Sequence, residues 1–137
     1  MFSPETTILI VDDMATMRRI VKNSLKDLGF KNFVEANNGR AGWEAMEAGA
    51  TREGEIQLVI CDWNMPEVSG LELLEKIRND DRFRPVPFLM LTAESEKKQV
   101  EKANLAGASS YITKPFSPVE LHEHLASVFE SGRKASA

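Results

Sequence analysis

A chain of 137 residues with 42% apolar and 28% charged residues is long enough for one domain that buries most of the surface its unfolded chain exposes, and it lacks the composition of a disordered chain. A net charge of -4, with Lys and Arg interspersed among the acids, offers no basic stripe for a nucleic-acid backbone, and no apolar run is long enough to span a bilayer. The opening MFSPETTILIV carries Glu5 rather than a basic leader, so a cytoplasmic protein is expected, and the single Cys61, set inside LVIC, reads as a small core residue.

In chain order, ILIV (8–11) is continuously apolar, as a strand buried on both faces should be. Met17, Ile20, Val21, Leu25 and Leu28 follow at helical spacing, and Gly29 stands where that helix should stop. FVEA (33–36) is a weaker strand candidate, and GATREGE (49–55) replaces the apolar period with glycine and charge, predicting a loop. LVIC (58–61) and FLML (88–91) are again buried strands. SGLE (69–72) places Ser at an N-cap and Glu at N3 of a helix. The helix after FLML, within SEKKQVEKANLAGA, offers few large apolar side chains beyond Val100 and Leu105 and should be held to the sheet least tightly. SYIT (110–113) is a last short strand. SPVE (117–120) then opens a helix with Pro118 at N1, continued by Leu121, Leu125, Val128 and Phe129.

The order βαβαβαβαβα requires crossover connections, and right-handed crossovers give a doubly wound parallel sheet with helices on both faces. The expected organisation is one domain over residues 1–131 and a frayed tail over 132–137.

In such a sheet all strands point one way, so the polar residues that end them collect in one crevice. ILIV runs into Asp12 and Asp13, LVIC into Asp62, FLML into Thr92, and SYIT into Lys114. Three crowded carboxylates raise one another's proton affinity unless a cation intervenes. A hard ion such as Mg²⁺, which takes one or two carboxylates and keeps water for a phosphate oxygen to replace, is the natural resident. Asp13 and Asp62 are candidate direct ligands, Asp12 a ligand through water, and the Asn64 backbone carbonyl a further one. A metal, a lysine and a hydroxyl around a carboxylate form a receptor for a phosphoryl group, with Asp62 the expected nucleophile.

VDD (11–13), DWNMP (62–66), SGLELL (69–74), LTAE (91–94), GAS (107–109), Tyr111 and KPF (114–116) together resemble the receiver domains of two-component response regulators. MRRIVKNSLKDLGF (17–30) resembles their chemotaxis branch in particular. The resemblance implies a five-stranded (βα)5 flavodoxin-like sheet in the order 2-1-3-4-5. It also implies that Asp62 accepts phosphate from a histidine kinase with Mg²⁺ bound, that Lys114 pairs with a phosphoryl oxygen, and that Thr92 swings toward another while Tyr111 turns inward. The Lys114–Pro115 bond would be cis. The face of the fourth helix, fifth strand and fifth helix would then bind the flagellar motor switch protein, and a phosphatase is a further implied partner. Such a protein is a monomeric phosphoacceptor that assists its own chemistry and is not a conventional enzyme.

Plainer readings compete. Asp12 or Asp13 could cap the first helix, Thr92 the fourth; Lys114 could be a solvated surface lysine and Tyr111 a cover for the sheet edge. Trp63 and Glu94 lie where receivers vary and are expected to adjust water access to an acyl phosphate. His122 and His124 read as solvated surface residues, and Met14, Met17, Met46, Met65 and Met90 as packing. Three rival functions remain: a phosphorelay intermediate that passes phosphate to a histidine phosphotransfer protein, a metal-dependent phosphohydrolase, and a flavodoxin-like cofactor binder. The second needs a DxDx[TV] motif that IVDDMAT lacks, and the third needs a phosphate-cradling loop in place of acids.

Overall fold

The computed structural model describes residues 3–49, 55–63, 68–92, 97–114 and 116–136. Asn64, Met65, Glu94 and Pro115, and with them the carbonyl ligand and the cis bond expected above, lie outside the described residues, as does most of the loop from Thr51.

Five strands alternate with five helices: β1 (Thr7–Val11), α1 (Ala15–Asp27), β2 (Asn32–Ala36), α2 (Gly39–Gly49), β3 (Leu58–Asp62), α3 (Gly70–Arg78), β4 (Phe88–Thr92), α4 (Lys97–Ala106), β5 (Ser110–Thr113) and α5 (Pro118–Ser136). All strand pairs are parallel, in the order β2-β1-β3-β4-β5, as expected for the flavodoxin-like sheet. The backbone of α5 is helical through Ser136, into the segment read from sequence as a tail.

The period of two along each strand divides the core. Leu9, Val11, Val59, Cys61, Phe88 and Met90 face α2 and α3, whose Met46, Leu73, Leu74 and Ile77 complete that layer. Ile8, Ile10, Leu58, Ile60, Leu89 and Leu91 face the other way, against Val21 and Leu25 of α1 and Leu121 and Leu125 of α5. Burial on both faces explains why these strands are unbroken apolar runs.

Helix ends follow local chemistry. Ser69 Oγ accepts from the Glu72 N–H (3.2 Å) and Ser117 Oγ from the Glu120 N–H (3.1 Å), the two capping boxes read from sequence. Asn38 Oδ1 accepts from the Ala41 N–H (2.7 Å) and starts α2, a cap not legible as a capping box because no Glu or Gln follows at N3. At the end of α1, Gly29 adopts φ +101° while the Phe30 N–H reaches the Leu25 carbonyl at 3.1 Å, a Schellman closure.

The fourth helix is more weakly anchored than its sequence suggests. Among its described side chains only Ala103 is buried, and Leu105, expected to be an apolar anchor, is 88% exposed. Met14 also departs from expectation: it stands 60% exposed at the N-cap of α1, whereas Met46 and Met90 do pack inside.

Candidate phosphoryl and metal site

The ladder hydrogen bonds continue one residue past the strands and fix the polar endings. The Asp12 N–H donates to the Ala36 carbonyl (3.1 Å), the Trp63 N–H to the Leu91 carbonyl (3.2 Å), and the Lys114 N–H to the Thr92 carbonyl (2.8 Å). Gly70 opens α3 so close to the end of β3 that a Cβ there would collide with the Asp62 carbonyl. Sheet hydrogen bonds thus hold the backbone at Asp12, Trp63 and Lys114.

Each sequence-predicted acid reaches this edge. Ligand oxygens of Asp12, Asp13 and Asp62 all lie within 4.8 Å of one another, with Asp12 and Asp62 buried and Asp13 exposed. Three oxygen donors at this spacing, two held by the sheet and one open to solvent, suit a hard divalent cation. Thr92 is fully buried at the end of β4, and Tyr111 is half-buried on β5, paired in register with Met90.

Lys114 is not a solvated surface lysine. Its Nζ donates to Asp12 Oδ2 at 3.0 Å and lies 3.4 Å from Asp62 Oδ1, with its side chain 16% exposed. The other Asp12 oxygen accepts from the Met14 N–H at 2.9 Å, and Arg18 donates to the Asp12 carbonyl at 2.6 Å. Asp12 therefore closes a turn ahead of α1, but the N-cap itself is Met14 with no side-chain cap, so capping leaves Asp13 and Asp62 unexplained.

Burial pushes the Asp62 carboxyl up from its ordinary value; Lys114 opposes this and Asp12 adds to it. Burial likewise pushes the Cys61 thiol well up, and its Sγ sits 3.2 Å from the Asp62 carbonyl, as a core residue and not a reactive one.

Two residues make contacts that the sequence did not reveal. Trp63, expected to act on water access, is 9% exposed and meets Tyr111 edge-on, with ring centroids 6.5 Å apart. His124, expected to be solvated, is half-buried with Nδ1 2.6 Å from Ser110 Oγ on β5, while His122 is exposed. Neither contact has a local signal, because each joins segments distant in sequence.

The family model of the response regulator receiver domain matches residues 8–126. The chain belongs to the response regulator receiver family. This receiver is similar to the chemotaxis protein CheY1 of Helicobacter pylori, 46% identical over 118 residues that cover 86% of this chain and 92% of that protein. It is equally similar to CheY-3 of Vibrio cholerae, 46% identical over 123 residues that cover 90% and 91% of the two chains. Among solved structures, CheY4 of Vibrio cholerae superposes with a TM-score of 0.78 at 30% identity, over 90% of this chain and 98% of that one. A CheY-like receiver from Methanospirillum hungatei gives 0.81 at 26% identity, over 96% and 98%. The chain is a receiver domain of CheY type. No helix among the described residues is long and apolar enough to cross a membrane.

Proposed function

We propose that this receiver is a response regulator that takes a phosphoryl group on Asp62 from a histidine kinase and signals in chemotaxis, through the flagellar motor switch protein. The observation that carries the chemistry is the meeting of Asp12, Asp13, Asp62 and Lys114 at one sheet edge. The chemotactic role is supported by relatives named chemotaxis proteins that align over most of this chain.

In this reading an Asp62 carboxylate oxygen forms a bond to phosphorus as the phosphorus–nitrogen bond of the kinase phosphohistidine breaks. The imidazole nitrogen keeps the electron pair, and the ring's other nitrogen retains the proton. Asp12, Asp13 and Asp62 would hold Mg²⁺, with the Asn64 carbonyl a further ligand, and the ion would supply positive charge to the phosphoryl oxygens. Lys114 is already beside Asp62 and needs only a small shift to donate to a phosphoryl oxygen. Thr92 supplies a hydroxyl at the next strand end, and Tyr111 would change packing on the adjacent strand. The protein is a phosphoacceptor that assists its own modification, not a conventional enzyme, and the cytoplasm is its place of action.

The weak anchoring of α4 supports a switch at α4, β5 and α5, because two packings of a loosely held helix differ by little free energy. The test is transfer of labelled phosphate from an autophosphorylated chemotaxis kinase, followed by binding to the motor switch protein. Transfer to wild type and not to Asp62→Asn, with tighter binding of the labelled form, is the expected result. Label on Asp62→Asn would refute the nucleophile, and equal binding of both forms would refute the output.

A further inference from the structure

Trp63, the first residue beyond β3, faces two groups at once. Its main chain is pinned, the N–H to the Leu91 carbonyl (3.2 Å) and the carbonyl to the Gly70 N–H (2.9 Å), and it adjoins the Asp62 carboxylate in sequence. Its side chain points to the face of α2 and α3, as Val59 and Cys61 do, and its ring meets Tyr111 at an interplanar angle of 72°. Tyr111 lies on β5, so the indole reaches across the intervening β4, two strand spacings or about 9.6 Å. The two rings together bridge that gap, their centroids 6.5 Å apart.

We infer that Trp63 is a positioning residue whose indole sets where the Tyr111 ring rests and so couples the Asp62 end of β3 to the packing of β5. This rests on the proposed reading that Asp62 takes the phosphate. An edge-on aromatic pair favours the packing that keeps it over one that breaks it by roughly two- to twelvefold. The pinned main chain means that a charge placed on Asp62 acts on a ring that cannot retreat with its backbone.

The chain contains one tyrosine, so 3-fluorotyrosine labelling gives a single ¹⁹F resonance that reports Tyr111 alone. Wild type, Trp63→Leu and Trp63→Phe are compared before and after addition of Mg²⁺ and acetyl phosphate, with the adduct followed by mass. In the unphosphorylated protein, Trp63→Leu should move the resonance toward that of the unfolded chain, and Trp63→Phe should move it less. All three should form the adduct, while the change in resonance per phosphorylated molecule falls by at least half in Trp63→Leu. Trp63→Phe, which keeps a buried ring, preserves the comparison should the leucine variant unfold. Variant spectra that superpose on wild type in both states overturn the coupling, however normal the adduct. Absence of an adduct on wild type strikes the phosphoacceptor reading instead, and the unphosphorylated spectra still decide whether the indole positions Tyr111.

Discussion

Lys114 Nζ stands 3.0 Å from Asp12 Oδ2, an ammonium held against a carboxylate whose side chain is only 4% exposed. The lysine thus fills part of the role that a metal ion would take, neutralising an acid cluster that the sheet forces together.

Lys114→Met should therefore destabilise the metal-free protein, because it leaves Asp12 buried beside Asp62 without its cation. A fully buried pair would cost about 3–5 kcal/mol; the partial exposure of Lys114 reduces this to roughly 2–3 kcal/mol, read from urea unfolding. The same variant should bind Mg²⁺ more tightly, as the competing ammonium is gone, and titration calorimetry would show it. A lower Mg²⁺ affinity would mean that Lys114 organises the acids rather than competing for them.

Asp62→Asn should stabilise the metal-free protein near neutral pH. The folded carboxyl has its pKa raised by burial above the ordinary 3.8, so the native state holds its proton more tightly than the unfolded chain. Between those two values wild-type stability falls as pH rises, and the cost is complete above the raised value. The gain in thermal midpoint of Asp62→Asn should be largest at pH 7 and vanish as pH falls below the ordinary carboxylate range. Added Mg²⁺ should narrow the difference by stabilising wild type alone.

Arg78 anchors the end of α3 to the α4–β5 connection. Its guanidinium donates to the carbonyls of Gly107 (2.8 Å), Val86 (2.6 Å) and Arg84 (2.9 Å) and lies 3.3 Å from Ser109 Oγ. Burial pulls its pKa down, and these bonds hold it in place. Arg78→Met leaves those acceptors short of a donor and should cost about 2–3 kcal/mol. Hydrogen exchange should quicken around Gly107 to Ser109 more than in β1, and a uniform increase would assign the loss to global unfolding.

The capping boxes predict smaller effects. Ser69→Ala and Ser117→Ala should each cost about 1 kcal/mol, and because their helices do not share a partner the two losses should add. Denaturant midpoints of the single and double variants check both points.

Strands β1, β3 and β4 were legible because burial on both faces writes itself as an unbroken apolar run, and the site was legible because each run stops at a polar residue. What sequence concealed depends on contacts between distant segments. That Lys114 bonds Asp12, 102 positions away, follows only from β1 and β5 ending at the same sheet edge. The Ser110–His124 bond and the Trp63–Tyr111 ring pair are of the same kind. Leu105 misled for the opposite reason: its spacing is helical, but the face it occupies turns outward.

Intact-mass measurement after incubation with Mg²⁺ and acetyl phosphate decides whether Asp62 is the phosphoacceptor. Wild type should gain the mass of one phosphoryl group, stable in acid and lost in base, and Asp62→Asn should gain none. A base-labile phosphoryl adduct of equal yield on Asp62→Asn would show that another residue takes the phosphate.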